Sequence, residues 1–180
     1  LGEEKMNVEN TNLESGQNYT KMEHHWDEAF GYFSEAIDFP AGGTSRFWGK
    51  YCDAQNGILN SNADMMNNFL KGRAAITNDV LADRDAAILN IRKEWEEISA
   101  YQAIKYLNDG LAYFGNDNAK FLHVLAEAYA FSWNLRYAPV ETRRMSPTEH
   151  ADLMALFPDS FWTFTIADIN AIKAAIEAKY

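Results

Sequence analysis

Residues 81–114 place the strongest constraint on the fold, because they form one long stretch with a repeating apolar pattern. The pattern has the heptad spacing that is typical of packed helices. Its apolar seam consists of Ile88, Ile91, Trp95, Ile98, Tyr101 or Gln102, Ile104 or Lys105, and Leu107. A helix with such a seam is stabilised by other helices that cover it. We therefore predict a long helix here and a helical bundle around it.

A second helix is predicted to begin after Thr20. Thr20 and Glu23 have the spacing of a capping box, in which the threonine hydroxyl accepts from the third helical N–H and the glutamate accepts from the cap. Lys21 is then the first helical residue. Apolar residues recur at three- and four-residue steps and predict one buried face, made of Met22, Trp26, Ala29, Phe30 and Phe33.

Start and stop signals divide the rest of the chain into further helices. Breaks are predicted at residues 38–43, 56–57, 60–62 and 115–117, and at Pro139. Helical segments are predicted around residues 47–51 and 65–74, and from about residue 118 to residue 137. Capping patterns at residues 146–149 and 165–168 predict two more helices. No strand-period alternation persists, so the predicted fold class is all-α, an antiparallel helical bundle.

The chain is predicted to contain one folded domain. Its 180 residues suit a single domain with a sizeable core. Residues 1–19 are rich in Glu, Asn and Gly and are interpreted as an extended arm or the remnant of a connection. Residues 20–180 are the helical bundle domain.

Charge and composition exclude several partners. Lys and Arg total 16 against 26 Asp and Glu, so the net charge is −10, which repels nucleic acid and anionic membranes and favours cations. Many soluble proteins carry such an acidic excess for solubility alone, and this is the favoured interpretation of the charge. The single cysteine, Cys52, excludes an internal disulfide. No apolar run reaches the ~20 residues that span a bilayer.

The second helix also carries a candidate site. His25 and Glu28 are three residues apart at the border of the apolar face, and Tyr32 lies between them one turn further on. His24 lies on the outer face and reaches Glu28 at four residues. Two interpretations stay open: a metal-binding pair, or a histidine that hydrogen-bonds Glu28 and nothing more.

A second polar pair is found in the helix after residue 118. His123 and Glu127 are four residues apart and share a helix face. Two His–Glu pairs could converge on one divalent ion, iron or zinc, although a pair on a solvated face is the alternative. Arg73 could hold a carboxylate near the site or serve as a structural ion-pair partner.

Several catalytic motifs are absent from the sequence. It contains no His-Glu-x-x-His helix, no Gly-x-Ser-x-Gly elbow and no glycine-rich phosphate loop. Cys52 has no obvious catalytic partner and is expected to behave as a small buried hydrophobe.

Several segments resemble one protein family. His25-Trp26-Asp27-Glu28 matches the His-x-x-Glu signature of the imelysin-like proteins, which are helical lipoproteins of the bacterial cell envelope. The longer run at residues 22–33 (MEHHWDEAFGYF) resembles one branch of unknown function found in Bacteroidetes-type bacteria. Four more segments resemble the same branch: residues 46–51 (RFWGKY), 69–76 (FLKGRAAI), 122–131 (LHVLAEAYAF) and 165–170 (TIADIN).

The resemblance implies an imelysin-like helical bundle that corresponds to the C-terminal half of longer family members. A signal peptide and a lipid anchor are then expected upstream, so contact with the membrane would be through that anchor alone. The expected partner is the N-terminal half of the same protein, and the expected location is the periplasm or outer membrane.

Three functions follow as hypotheses. The first is a binding protein that holds a metal ion or a metal-containing ligand at His25 and Glu28, with a link to iron uptake. The second is a metallopeptidase in which Glu28 is the base. The third is a non-catalytic surface scaffold, or a module that binds a partner or a glycan. A binding protein is favoured over an enzyme.

Overall fold

The computed structural model describes residues 1–42 and 46–180, and it confirms an all-α fold. Eight α-helices lie within those residues: α1 (Glu3–Met6), α2 (Lys21–Phe33), α3 (Phe47–Leu59), α4 (Ser61–Thr77), α5 (Leu81–Tyr113), α6 (Asn118–Asn134), α7 (Pro147–Ala155) and α8 (Ile166–Glu177). Two 3₁₀ turns are present at Leu135–Tyr137 and Phe161–Thr163. No β-strand occurs in this described part, and Leu13 and Thr20 form an isolated bridge.

The predicted caps are confirmed. Thr20 caps α2 in a complete capping box with Glu23, and Ser146 caps α7 in the same manner. Thr165 and Asp168 form a third capping box at the start of α8. Each box satisfies N–H groups that a helix otherwise leaves unpaired at its first turn.

Two predicted breaks have different outcomes. Residues 56–57 do not interrupt the helix, because α3 continues to Leu59. The turn between α3 and α4 is made at Asn60, whose φ of 58° and ψ of 24° are left-handed. Asparagine adopts this conformation more readily than most residues. Gly43, at the end of the predicted break at residues 38–43, lies outside the described residues.

The chain divides into two compact units, Leu1–Glu94 and Trp95–Tyr180, and the boundary falls inside α5. In the first unit, α2 packs against α1, α3 and α4. Its core contains the predicted α2 residues Met22, Trp26 and Phe33, together with Met65, Phe69, Ile76 and Ile91. Met22, Trp26 and Phe33 are therefore confirmed as core positions, whereas Ala29 and Phe30, predicted for the same face, are half-buried.

The N-terminal segment belongs to the first unit. Met6 is buried, and its carbonyl accepts a 2.6 Å hydrogen bond from Arg84 Nη1. The carbonyl of Leu1 accepts from Arg92 Nη2 at 2.6 Å, and the Ile76 carbonyl accepts from Asn10 Nδ2 at 2.9 Å. These bonds attach the segment predicted as an arm to α4 and α5.

The second unit packs α6 against α7, and α7 against α8. Its fully buried apolar residues come from α5, α6 and α8 and include Ile98, Ala103, Leu107, Leu125, Ile169, Ile172 and Ile176. The two residues of the α5 seam in this set, Ile98 and Leu107, are thus confirmed as core positions. None of the helices described here is long and apolar enough to cross a membrane.

Candidate functional site

His25 and Glu28 contact each other on α2. His25 Nδ1 lies 3.0 Å from Glu28 Oε2, and the two side chains are 11% and 47% exposed. His24 approaches the other oxygen of the same carboxylate, with its Nε2 3.4 Å from Oε1. The carboxylate of Glu28 therefore lies between two imidazoles. The hydrogen bond from His25 is the main reason that the pKa of Glu28 is lowered from its ordinary value.

The neighbours of this pair differ in exposure. The ring of Tyr19 stacks on His24, with centroids 5.2 Å apart and planes 13° apart. Tyr32 is 75% exposed, so it points into solvent rather than into a half-buried cleft. The structure thus joins His24, His25 and Glu28 and leaves Tyr32 outside their contacts.

Arg73 is a structural ion-pair partner. Its Nη1 donates to Glu23 Oε1 at 2.6 Å, and its Nε donates to Asp27 Oδ1 at 2.9 Å. The Thr77 hydroxyl also donates to Glu23, at 2.7 Å. Glu23 is buried, so these donors replace the water that its carboxylate has lost. Arg73 connects α4 to the first turn of α2.

A groove lies between α2 and α4 on the other side of α2. It has a volume of about 610 Å³, and its lining includes Trp26, Phe30, Gly31, Phe69, Leu70 and Arg73. Successive helix residues are rotated by about 100°. Phe30 is therefore about 140° from His25 and about 160° from Glu28, on the opposite side of α2, whereas Gly31 lies at the edge of the groove, about 60° from Glu28.

Glycines shape this groove in two different ways. A Cβ on Gly31 would meet nothing within 4 Å, so the groove is open above it. A Cβ on Gly72 would lie 2.1 Å from Trp26 Cη2, because the indole packs directly on the α4 backbone. Trp26 Nε1 also donates to the Phe69 carbonyl at 3.0 Å. Trp26 is therefore fixed as the floor of the groove.

The second predicted pair lies on an exposed face of α6, in the second unit. His123 Nε2 and Glu127 Oε1 are 4.0 Å apart, and the His123 side chain is 68% exposed. Glu127 contributes to raising the pKa of Tyr106, after the larger effect of burial. Across residues 1–42 and 46–180, no three His, Cys, Asp or Glu side chains group closely enough to hold a metal ion.

Cys52 is a buried structural residue, as expected. Its side chain is fully buried on α3, and its carbonyl accepts a 2.7 Å hydrogen bond from the Ser61 hydroxyl. Burial raises the pKa of its thiol to about 12. The thiol is therefore protonated at neutral pH and is a poor nucleophile.

The sequence indicates, through Gly31, that a backbone or a ligand could come close to α2, but it does not place the groove or the surroundings of His150. The isolated Gly31 inside a helix was the available signal for the groove, because it gives up helix stability and leaves open space. From the sequence alone, His150 is predicted to lie in or beside a loop and to be exposed to solvent, and this prediction is wrong. His150 lies in α7 and is buried.

The structure is that of an all-α protein with the pair His25 and Glu28 on α2, whose carboxylate His24 also contacts, and with an apolar groove between α2 and α4. A family model described as "Domain of unknown function (DUF4856)" matches residues 1–180, and the chain belongs to that family. No curated protein and no solved structure matches the chain.

Proposed function

We propose that this protein is an imelysin-like binding protein of the bacterial cell envelope that holds a divalent metal ion at His25 and Glu28. The ion would be bound alone or as part of a metal-containing ligand. One observation carries the proposal: an imidazole nitrogen and a carboxylate oxygen, one helical turn apart, lie 3.0 Å from each other. The second imidazole, of His24, holds the other carboxylate oxygen.

The separation of the two donor atoms suits an ion. Zinc–nitrogen and zinc–oxygen bonds are about 2.0–2.2 Å long, so neighbouring donors around one ion are roughly 2.9–3.5 Å apart. The 3.0 Å between His25 Nδ1 and Glu28 Oε2 falls in this range. On binding, the ion would replace the hydrogen that Nδ1 donates to the carboxylate in the metal-free protein. His24 would orient the carboxylate from outside the bonding pair, as such supporting groups do in metal sites. Water or the rest of a metal-containing ligand would supply the remaining donors.

Charge supports the same conclusion. The lowered pKa of Glu28 keeps its carboxylate ionised at neutral pH, which is the form that binds a cation. The net charge of −10 attracts cations to the whole surface. Imidazoles bind metals in their neutral form, so the affinity should fall as the pH is lowered from about 8 to about 5.

Binding is a better proposal than peptide hydrolysis. A metallopeptidase would require Glu28 as a general base, and a general base works best when its pKa is near the operating pH. The pKa of Glu28 is lowered by its bond to His25, which makes this carboxylate a weaker base. We therefore do not assign Glu28 a catalytic role.

Calorimetric titration with Zn²⁺, and with Fe²⁺ under anaerobic conditions, tests the proposal. We expect wild-type protein to bind one ion at micromolar affinity. His25→Ala and Glu28→Gln should each weaken binding by about tenfold or more, and His24→Ala should have a smaller effect.

His123→Ala is the matched control, because it removes an exposed histidine from α6. It should leave the affinity unchanged. Wild-type protein that binds neither ion at micromolar concentration would refute the proposal. Loss of binding in His123→Ala with retention in His25→Ala would move the site to α6.

A second candidate function is the binding of a small apolar molecule in the groove between α2 and α4. Its volume of about 610 Å³ is within the range of small-molecule sites, and its lining includes the aromatic side chains of Trp26, Phe30 and Phe69. Leu70 and Ile37, which also line it, are largely exposed to solvent. A bound apolar molecule would cover both side chains.

Two matched glycine variants test the groove with the uncharged fluorescent probe N-phenyl-1-naphthylamine. Gly31→Leu fills the groove, and we expect it to abolish the probe's fluorescence gain. Gly57→Leu places the same side chain in open space on α3, outside the groove lining, and should leave binding intact. Equal binding by both variants would place the probe elsewhere.

A further inference from the structure

A cavity of about 420 Å³ lies in the second unit, next to the end of α6, the turn at Leu135–Tyr137 and the start of α7. Its volume is within the range of small-molecule sites. The polar part of its lining includes Arg136, Arg143 and His150. None of these residues belongs to the metal-binding site proposed on α2.

The charge of this cavity is opposite to that of the chain. None of the described lining residues is acidic, and two are arginines, while the whole chain has a net charge of −10. Arg136 and Arg143 make no ion pair within residues 1–42 and 46–180. Three other arginines have carboxylate partners: Arg73, Arg84 and Arg144. The cavity therefore presents two guanidinium groups that the protein does not neutralise.

Aromatic stacking holds one of these groups in place. The guanidinium carbon of Arg136 lies 4.5 Å from the ring centroid of Trp133 and 5.6 Å from that of Tyr137. These cation–π contacts attract the guanidinium to the two rings, and its N–H groups donate no hydrogen bond within the described residues, so they are available to an acceptor. Arg143 is half-buried, and its backbone N–H donates to the Pro139 carbonyl at 2.8 Å, which fixes the loop that carries it.

His150 forms a rigid part of the same wall. It is buried, and its Nε2–H donates to the Ser132 carbonyl at 3.1 Å. This bond assigns the proton to Nε2, so the neutral ring has an acceptor at Nδ1. Nδ1 makes no hydrogen bond with the described residues. The ring packs against the edge of Trp133 at a centroid distance of 6.2 Å.

The nearby carboxylate of Glu149 does not cancel this positive charge. Its pKa is lowered to about 2, first because of its hydrogen bond with Lys179 and then because of its bonds with Ser146. Glu149 is therefore ionised, but Lys179 neutralises it. The two arginines remain uncompensated.

We propose that this cavity binds a small organic anion through carboxylate or phosphate oxygens, with Arg136 and Arg143 as the charged donors. Guanidinium groups recognise both kinds of oxyanion with paired N–H donors. The volume exceeds what a bare phosphate ion needs, so an organic body would occupy the rest. Leu135, Met145 and Met154 supply the apolar surface for that body.

Calorimetric titration of the full chain at low ionic strength with three probes tests this proposal. Phenyl phosphate and benzoate carry the two candidate oxyanions, and benzyl alcohol is their uncharged counterpart. We expect one or both anions to bind, and benzyl alcohol to bind at least about tenfold more weakly. Comparison of the two anions identifies the preferred oxyanion.

Substitutions of the two arginines then test whether each of them contacts the bound anion. Arg136→Gln and Arg143→Gln should each weaken anion binding by about tenfold or more. Arg143→Lys keeps the charge and should retain part of the affinity. Lys105→Gln removes one positive charge from an exposed pair with Asp109 on α5, outside the cavity lining, and should leave binding unchanged.

Several results would overturn the proposal. They are the absence of binding by either anion at millimolar concentration, equal binding of benzyl alcohol, or full binding by the Arg136→Gln/Arg143→Gln double variant. Far-UV circular dichroism verifies that each variant is folded. The Arg136 and Arg143 side chains have no carboxylate partner in the described chain, so their removal leaves no buried charge unpaired.

Discussion

At the scale of single residues, two helical glycines in the first unit have opposite surroundings. A side chain at Gly31 would extend into open space, whereas a side chain at Gly72 would collide with the indole of Trp26. Trp26 is 1% exposed and is held by its hydrogen bond to the Phe69 carbonyl, so it has little room to move. The same substitution should therefore have opposite effects at these two positions.

Gly31→Ala should stabilise the protein by about 1 kcal/mol, because alanine favours the helix and its methyl group meets no atom. Gly72→Ala should destabilise it by about 1–3 kcal/mol, because the new Cβ would overlap the indole. Urea unfolding followed by circular dichroism measures both changes. Gly57→Ala on α3 is the control and should resemble Gly31→Ala; stabilisation by Gly72→Ala would contradict the close packing.

The sequence predicted only the local part of the candidate site. The contacts of His24 and His25 with Glu28 depend on helical spacing alone, and both are observed. The groove depends on Phe69 and Leu70 meeting α2, which requires tertiary packing. The cavity with Arg136 and Arg143 likewise depends on how α6 and α7 pack, and no local pattern encodes that.

At the scale of elements, the first turn of α2 is joined to α4 through a buried carboxylate. Glu23 accepts from the Thr20 backbone N–H at 2.9 Å, from the Thr77 hydroxyl at 2.7 Å and from Arg73 at 2.6 Å. Burial, the largest single effect, raises the pKa of Glu23, but the bonds with Thr20, Thr77 and Arg73 together lower it below its ordinary value. The ionised form therefore stabilises the folded state.

Glu23→Gln should destabilise the protein at neutral pH by about 2–3 kcal/mol, because it removes a charged acceptor from three donors. A lowered pKa in the folded state contributes stability above the unfolded pKa and loses it as the pH falls. The difference between wild type and variant should thus shrink below about pH 4.5. Denaturant titrations from pH 7 to pH 3 measure it, and a difference independent of pH would contradict the role of the ionised carboxylate.

Most of the fold could be predicted at this scale. The capping boxes of α2, α7 and α8 and the extent of α5 follow from spacing and capping chemistry that act over a few residues. The predicted break at residues 56–57 failed because a glycine weakens a helix by only about 1 kcal/mol. Tertiary contacts of α3 with α4 and α2 outweigh such a cost.

At the scale of the whole molecule, each unit contains a hydrogen bond between residues near the two ends of its own sequence. Arg92 holds the carbonyl of Leu1 in the first unit, and Glu96 accepts from the Tyr180 hydroxyl in the second. Glu96 also accepts from the Arg144 backbone N–H at 2.9 Å, and its other oxygen is buried without a hydrogen bond in the described chain. The long helix α5 thus supplies one residue to such a hydrogen bond within each unit, Arg92 in the first and Glu96 in the second.

Tyr180→Phe should destabilise the second unit by about 1.5–3 kcal/mol, because a buried carboxylate loses a donor. Burial and the bond to Glu96 raise the pKa of Tyr180, which agrees with a neutral donor hydroxyl. Amide hydrogen exchange should accelerate within Trp95–Tyr180 more than within Leu1–Glu94. Tyr137→Phe removes a largely exposed hydroxyl from the same unit and should change little; equal acceleration by both variants would contradict the prediction.

The buried thiol of Cys52 allows the opening rate of the first unit to be measured by chemical labelling. A thiol-modifying reagent can react only when α3 separates from the helices packed against it, because the sulfur is otherwise inaccessible and protonated. No other cysteine competes for the reagent. The rate of labelling therefore reports the rate at which the unit Leu1–Glu94 opens around α3, and no cysteine has to be introduced for the measurement.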